Sequence, residues 1–348
     1  MPDTFRITNC SNVCHKLSGN RILIHRIALA FFLIGSFISK ASAEPSAEAL
    51  LFQMQRGYHH NNFELAMVHI LQNNIEPLRL THGWYANNEI THLLSLSGRP
   101  VEYLGKNKQV TFAESAESSY TLQNSRLPGL WFSVLNCTPE TLLEHYEVVS
   151  TGKNRIAGQV AQLVRLSAKD ESKYNFILWL EQKTGILLRL DINDAQGNLV
   201  EQYLGVDFRF LPENASNIRA IASTKVPVAE RYQDIYRADP DSHLWKLGWL
   251  PAGFAPLSAD QHKLIGSEEL VDYFLLSDGL VDVSVYISRL SAKGAVRDKE
   301  QFAMSGATSV LSLNRDDGVT LTLVGELPAT SLRRIAETIQ VNQRENSP

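Results

Sequence analysis

The chain has 348 residues, of which 44% are hydrophobic and 20% are charged, and its formal net charge is −4. The length suffices for about two globular domains, and the acidic balance argues against general nucleic-acid binding. We therefore expect a globular protein of about two domains that has no nucleic-acid partner.

Residues 1–43 predict a cleaved secretory signal peptide. Arg21 and Arg26 precede an uncharged apolar run of 12 residues, Ile27–Ile38, and Ala41-Ser42-Ala43 supplies a small-residue cleavage site. A membrane anchor is the alternative, but a spanning helix needs about 20 apolar residues. The leader carries more basic than acidic residues, so its removal leaves a more acidic chain.

Cys137 is the one cysteine that remains once this leader is removed. An exported chain with one cysteine has no internal disulfide, so its stability must come from its packed cores. Cys137 is a potential nucleophile, but the sequence shows no positioned base for it. A buried structural thiol is therefore the interpretation that we favour.

Residues 44–211 predict one domain built on a curved antiparallel sheet. Ser46 caps an amphipathic helix that runs to His60. Short apolar runs between polar turns then predict strands. These runs are 63–71, 78–85, 90–97, 101–104, 109–114, 119–122, 146–150, 159–168 and 199–210. Residues 127–135 break the alternation and predict a short helix or flap, and Thr138-Pro139 caps another helix.

A hairpin at Lys173–Asp191 is central to this domain. Residues 182–185 supply its turn, in which Gly185 is free to adopt a positive φ. Apolar residues at period 2 give both strands one continuous apolar face. That face includes Phe176, Leu178, Leu188 and Leu190. No catalytic group stands out in the hairpin.

Residues 212–241 predict a linker, because they lack regular periodicity and carry three prolines, with a helical turn near 215–223. Residues 242–342 predict a smaller α+β domain. Its predicted strands are 271–276, 280–287, 308–313 and 319–324. Pro328 opens a final helix with a buried stripe at i, i+3, i+4 and i+7. The stripe consists of Leu332, Ile335, Ala336 and Ile339.

No motif typical of a catalytic, metal or nucleotide site occurs in the sequence, so we expect no enzyme activity and no cofactor or metal. His59 and His60 are adjacent at a helix end and point about 100° apart, which makes a poor metal pair. Glu144, His145 and Glu147 resemble an acid–base cluster, but the polar face of a capped helix is the simpler interpretation.

Large apolar side chains are the candidates for lipid contact, and an ordinary core is the alternative for each of them. The apolar segment 127–135 favours a cavity, because it offers a movable cover. The lipid-cavity candidates are Trp84, Trp131, Phe132, Phe176, Leu178, Leu188 and Leu190. Arg333 and Arg334 lie on the final helix away from its buried stripe. They form either a solvated face or a docking patch for an acidic partner segment.

The order and spacing of short motifs over both domains resemble one known family. In the first domain these motifs are Gly152, Arg155-Ile156-Ala157-Gly158, Asp170, Tyr174, Trp179-Leu180, Thr184-Gly185, Arg189, Asp191, Gly197 and Glu201-Gln202. In the second they are Trp245, Trp249-Leu250-Pro251, Gly253-Phe254, Ser277-Asp278-Gly279-Leu280, Val324-Gly325-Glu326-Leu327-Pro328 and Arg334-Ile335-Ala336. Three positions depart from the family's pattern. Lys173 stands where Arg is usual, Glu181 where Asp is usual and Leu187 where Pro is usual. The chain resembles the RseB/MucB family of periplasmic regulators of the sigma-E envelope-stress response.

This resemblance implies a fold and a function. The implied fold is α+β: a large, open antiparallel β-barrel with a helical plug and an apolar cavity, like the lipoprotein carriers LolA and LolB, and a smaller C-terminal domain. The implied protein is periplasmic and binds the periplasmic domain of an RseA-like anti-sigma factor. It shields that partner from a DegS-like protease. Lipopolysaccharide or another lipid-A-containing ligand is expected to release it.

Two other functions stay open beside this regulator. A periplasmic lipoprotein or lipid carrier of the LolA type accounts for the first domain but leaves the second domain without a role. A hydrolase requires a nucleophile and a base, for which the sequence shows no pattern. Self-association into a homo-oligomer is compatible with all three functions.

Overall fold

The computed structural model describes residues 45–72, 74–114, 118–123, 126–230, 245–263, 270–289 and 298–341. The predicted signal peptide, residues 1–43, lies outside these residues. From Ser46 onward the chain forms one unit, which contains a large sheet and a smaller one. Within the described ranges, no helix has both the length and the apolar character needed to cross a membrane.

The large sheet has twelve strands. In chain order they are β1 Phe63–Leu71, β2 Asn74–Tyr85, β3 Asn88–Ser95, β4 Glu102–Lys106, β5 Gln109–Ala113, β6 Ser119–Gln123, β7 Tyr146–Ile156, β8 Gln159–Ala168, β9 Asn175–Glu181, β10 Leu187–Asn193, β11 Leu199–Phe210 and β12 Ala229–Glu230. Across the sheet the order is β12-β6-β5-β4-β3-β2-β1-β11-β10-β9-β8-β7. The short β12–β6 pair is parallel and the others are antiparallel. Strands β12 and β7 form the two edges, so the sheet is open, as predicted.

Three helices lie on the inner face of this sheet, and a fourth packs on its outer face against Gly83 and Ile90. They are α1 Ala47–His60, α2 Leu130–Asn136, α3 Pro139–His145 and α4 Ser216–Ala222, and α5 Ala329–Thr338 belongs to the second sheet. Both predicted caps are present: the Ser46 hydroxyl accepts from the Ala49 amide at 3.1 Å, and the Thr138 hydroxyl accepts from the Thr141 amide at 3.2 Å. Helix α1 contacts α2, α3 and the sheet, which confirms the helical plug.

The predicted hairpin is the pair β9–β10. Leu178 lies opposite Leu190, but a bulge falls between Leu187 and Arg189. The bulge interrupts the strict alternation that we predicted, because one strand carries an extra residue. Leu187 and Leu188 are consequently both buried.

The turn of this hairpin supports the plug helix α1. Gly185 has a φ of 80°, as predicted, and a Cβ there would lie 2.7 Å from the carbonyl carbon of Gln53. A Cβ on Gly57 would collide with the Thr184 carbonyl. The Gln53 side chain donates to the Lys183 carbonyl at 2.7 Å. The two backbones therefore meet at two glycines, where a larger residue does not fit.

A six-stranded antiparallel sheet forms the core of the second half. Its strands are β14 Ala255–Lys263, β15 Leu270–Ser277, β16 Asp282–Arg289, β17 Glu300–Ser305, β18 Thr308–Asn314 and β19 Val319–Gly325, in the order β14-β15-β16-β19-β18-β17. Strands β13 Trp245–Lys246 and β20 Gln340–Val341 pair separately. Helix α5 packs on β18 and β19 through its predicted stripe, in which no residue is more than 1% exposed.

The first half of the predicted linker packs on the large sheet. Helix α4 confirms the predicted helical turn, and Ile218 within it is 1% exposed. This helix contacts β2 and β3. Ala229 and Glu230 then pair with β6 as strand β12. Residues 231–241 lie outside the described part of the chain.

A buried ion pair joins the small sheet to the large one. Lys173 Nζ lies 3.1 Å from Asp278 Oδ2, and the two side chains are 1% and 0% exposed. Lys173 also donates to the Ala252 carbonyl at 3.1 Å. The other Asp278 oxygen accepts from the amides of Leu280 and Val281 at 3.0 and 2.8 Å. All four contacts involve charged groups that are shielded from water. Removing one charged partner would therefore leave the other charge buried and uncompensated.

Candidate functional site

An apolar cleft of about 580 Å³ opens on the inner face of the large sheet beside α2. Strands β1 to β3 supply Met67, Leu78 and Leu93, and α2 supplies Trp131 and Phe132. Each of these side chains is at most 8% exposed. The polar rim includes His69, Glu76, Arg99, Tyr103 and Tyr203. This combination of apolar walls and a few polar groups is typical of a site for an apolar ligand with a polar end.

Helix α2 is the short helix that the segment 127–135 was predicted to form. Gly129 precedes it with a φ of 96°. A Cβ on Gly129 would lie 2.9 Å from the hydroxyl of Tyr203. Glycine therefore lets the segment turn sharply and pass close to the sheet. The helix then places Trp131 and Phe132 on the cleft.

The indole N–H of Trp131 is buried and has no hydrogen-bond acceptor among the described protein atoms. Leaving a buried donor without an acceptor costs about 1–3 kcal/mol. Trp131 lines the apolar cleft, so a carbonyl or ester oxygen of a ligand can supply that acceptor once the ring shifts to expose the buried nitrogen.

A stacked ring pair forms the wall of the cleft at β1 and β11. The rings of His69 and Tyr203 lie 4.1 Å apart and 8° from parallel, and the Tyr203 ring is 5.7 Å from that of Trp131. His69 Nε2 lies 2.7 Å from Glu201 Oε1. Burial opposes ionisation of Glu201, but hydrogen bonds from His69 and from the Ala307 amide outweigh it and hold its pKa below the ordinary value.

Glu201 connects this wall to the small sheet. Its second oxygen accepts from the Ala307 amide, in the β17–β18 turn, at 2.8 Å. Gly306 has a φ of 57° there, and a Cβ on it would collide with Leu71 and lie 2.5 Å from Glu201. One carboxylate thus contacts both the cleft wall and the second domain. A ligand that displaces His69 therefore also disturbs Glu201, whose second oxygen binds the β17–β18 turn of the small sheet.

The structure separates the predicted lipid-cavity residues into three places. Trp131 and Phe132 line the apolar cleft. Trp84 lies instead in a second cleft of about 570 Å³, the polar cleft, beside the β2–β3 and β4–β5 turns. The hairpin candidates are 0% exposed in the core, and neither cleft is lined by them. They are Phe176, Leu178, Leu188 and Leu190. Lipid contact by the hairpin face stays a prediction.

The two candidate partner-binding residues on α5 have different surroundings. Arg333 makes a two-point contact with Glu300 on β17, with Nε 3.1 Å from Oε2. The Arg334 guanidinium lies over the Trp249 ring, 4.1 Å from its centre. Arg334 is exposed and borders a groove of about 330 Å³ that also contains Glu171 and Trp249. Arg334 is therefore the better placed of the two for a carboxylate of a partner.

The remaining candidates for chemistry have structural surroundings. Burial, together with the charge of Asp278, raises the pKa of the Cys137 thiol to about 12, which is unfavourable for a nucleophile. The His145 ring packs so closely on Gly253 that a Cβ there would collide with it. Within the described ranges, His, Cys, Asp and Glu nowhere form a group of three or more that would hold a metal ion.

Sequence reasoning missed His69 and Tyr203. Alternation in β1 places His69 on the same face as Met67, and Tyr203 directly follows the Glu201-Gln202 motif. Those signals indicate which face of its strand each residue occupies. They do not identify the contact between β1 and β11, which are separated by more than a hundred residues.

The chain is similar to curated regulatory proteins over most of its length. It is 28% identical to the sigma-E factor regulatory protein RseB of Salmonella typhimurium and 27% identical to that of Escherichia coli K12, over 305 residues in each case. These alignments cover 87% of this chain and 93% of the relatives. It is 24% identical to the sigma factor AlgU regulatory protein MucB of Pseudomonas aeruginosa, covering 74% of this chain and 83% of that protein.

Solved structures of MucB share the fold. The Pseudomonas aeruginosa MucA/MucB complex matches with a TM-score of 0.68 at 21% identity, covering 85% of this chain and 99% of that chain. A structure of MucB in complex with MucA(peri) matches with a TM-score of 0.66 at 22% identity, covering 85% and 98%. This likeness confirms the α+β fold with a large antiparallel sheet and a smaller one.

Family models match both halves of the chain. The MucB/RseB N-terminal domain matches residues 46–228, and the MucB/RseB C-terminal domain matches residues 239–340. The first match ends beyond α4, in agreement with the packing of that helix on the large sheet. The two matches together account for nearly all of the described residues, and the chain belongs to the MucB/RseB family.

Proposed function

We propose that this protein is a periplasmic negative regulator of sigma-E activity. It binds the periplasmic domain of an RseA-like membrane anti-sigma factor and protects it from a DegS-like protease. The match of both family domains over residues 46–228 and 239–340 carries this proposal. Relatives that align over most of their length are named as sigma-E factor regulatory proteins, and solved complexes pair MucB with MucA.

A LolA-type carrier is not favoured. That function requires only the large sheet and its plug, whereas the family match continues through the second domain at residues 239–340. The contacts of Lys173 and Glu201 with that domain also make the two sheets one packed unit. Two coupled domains suit a binding protein whose affinity for one partner responds to another ligand.

The ligand that releases the partner is, in this proposal, lipopolysaccharide or another molecule that contains lipid A. The apolar cleft offers room for acyl carbons, and the Trp131 N–H offers a donor for an ester oxygen. A ligand lowers affinity for the partner only if it favours a state that binds the partner less well. The Glu201 link supports such coupling, because the His69 wall and the Ala307 amide share one carboxylate.

Lipid A is expected to lower the affinity of the protein for the anti-sigma periplasmic domain by about tenfold or more, which corresponds to about 1.4 kcal/mol of coupling per factor of ten. Isothermal titration with and without lipid A measures this change. Trp131→Phe keeps an aromatic ring but removes the indole N–H, so it should weaken the lipid effect and leave binding of the partner alone unchanged. Additive binding with unchanged affinities would refute the mechanism.

The Arg333→Glu, Arg334→Glu double variant is expected to bind the anti-sigma periplasmic domain about tenfold more weakly, if α5 docks an acidic segment. Arg333→Glu also places two carboxylates together at Glu300, so folding needs its own control. The charge swap Arg333→Glu, Glu300→Arg retains that ion pair and should preserve the melting temperature. Full partner affinity in the folded double variant argues that α5 is only a solvated surface.

A further inference from the structure

The polar cleft differs in chemistry from the apolar cleft on the same face of the sheet. Along β2, Leu78 lines the apolar cleft and Trp84 lines the polar one. The polar cleft therefore lies towards the β2–β3 and β4–β5 turns, at the other end of the shared strands. Neither the family comparisons nor the proposed regulation assigns a role to it.

An exposed aromatic ring is held in position in this cleft. Trp84 is 40% exposed, yet its indole N–H donates to the His59 carbonyl at 2.6 Å. Its backbone amide also donates to the Asn62 side chain at 3.0 Å. Most exposed side chains lose rotational freedom when they bind a ligand, whereas Trp84 is already oriented. It offers a fixed, flat apolar surface to solvent.

Cations predominate around this ring, although the chain as a whole has a net charge of −4. Lys106, Lys108 and Arg126 line the polar cleft. Among the described residues that line it, Glu89 is the one acidic group. Its carboxylate is paired with His59 at 2.6 Å and His82 at 3.1 Å. Burial opposes ionisation of Glu89, but these histidines outweigh it and lower its pKa to about 2.

Amide side chains complete the lining. Asn87 and Asn107 occupy the two turns with φ of 62° and 52°, and Gln109 follows in β5. Lys108 shares the second turn with a φ of 63°, whereas the Lys106 ammonium donates to the Ala222 carbonyl at 2.8 Å, at the end of the helix on the outer face. The two turns thus bring amide side chains and the Lys108 side chain to the polar cleft that Trp84 lines. Amides can both donate to and accept from hydroxyl groups.

We propose that the polar cleft binds a sugar ring that carries an anionic group, either phosphate or carboxylate. The aliphatic C–H face of the sugar packs on the electron-rich face of Trp84. The anionic group pairs with Lys108 or Arg126, and the hydroxyl groups bind the turn amides. A purely apolar ligand is disfavoured, because it would leave these polar groups without water. The lining residues of the polar cleft are different from those of the apolar cleft.

Isothermal titration of the purified protein with glucose 1-phosphate and with glucuronate tests the proposal and distinguishes its two anionic forms. Glucose and inorganic phosphate are the comparison ligands, since each carries half of the recognised chemistry. At least one anionic sugar should bind about tenfold more tightly than either comparison ligand. Lys108→Gln and Trp84→Ala should each weaken that binding by about tenfold.

Lys183→Gln is the matched control, because it removes an equal charge from an exposed residue of the β9–β10 turn. It should bind the sugar as the unchanged protein does. Melting temperatures identify a variant that fails to fold, and Trp84→Phe replaces Trp84→Ala in that case. The proposal is overturned if neither anionic sugar binds at about 10 mM. It is equally overturned if inorganic phosphate binds as tightly, or if Lys108→Gln and the Trp84 variant leave affinity unchanged.

Discussion

Lys173→Met is expected to destabilise the protein by about 3–5 kcal/mol, because it leaves Asp278 charged and buried without its partner. Methionine keeps most of the length and apolar volume of the lysine stem, so loss of packing contributes little. The Lys173 ammonium lies 3.1 Å from Asp278 and also 5.1 Å from the centre of the Tyr146 ring. Urea unfolding, monitored by tryptophan fluorescence and circular dichroism, measures the loss.

The double variant Lys173→Met, Asp278→Asn is the control for this prediction. Asparagine keeps a side-chain oxygen for the amides of Leu280 and Val281, which donate to Asp278 Oδ1 in the unchanged protein. The uncompensated charge disappears, so the double variant should recover most of the lost stability. A loss of less than about 1 kcal/mol in Lys173→Met contradicts the prediction, since exposed pairs contribute about that much.

The charge pair also bears on the proposed regulation. Lys173 precedes β9 and Asp278 follows β15, so the pair spans the junction of the two sheets. If the regulator releases its partner through a changed domain arrangement, Lys173→Met should weaken partner binding as well as stability. Comparing the two losses separates an effect on the junction from general unfolding.

Leu178→Asp is expected to unfold the large domain, with a loss of about 4 kcal/mol or more. Leu178 is 0% exposed and lies opposite Val164 on β8 and Leu190 on β10. A carboxylate at that position would be buried opposite two aliphatic side chains, so we expect the hairpin to separate from the core. The loss of circular dichroism and the melting temperature report the unfolding.

Ile177→Asp is the matched control on the opposite face of the same strand. Ile177 is half-buried, so its replacement should cost about 1 kcal/mol and leave the protein folded. A folded Leu178→Asp variant that no longer responds to lipid A would contradict the expectation. That result would place the hairpin face on a lipid cavity, which is the alternative that the sequence left open.

The sequence by itself determined those features that depend on neighbouring residues. Strand β8 at Gln159–Ala168 and strand β11 at Leu199–Phe210 have the predicted bounds, because alternation at period 2 is a local signal. The caps at Ser46 and Thr138 form as predicted, because a hydroxyl reaches an amide three residues ahead. The ordered motifs over both domains likewise sufficed to identify the family.

Only the tertiary structure decided which of these elements share a site. Trp84 and Trp131 were grouped by their apolar character, yet the fold places them in clefts of different polarity. Lys173 and Asp278 are 105 positions apart, and His69 and Glu201 are 132 apart. No local sequence pattern encodes such pairs, because their members become neighbours only in the folded protein. The site therefore depended on long-range packing, whereas the strands that build it depended on local periodicity.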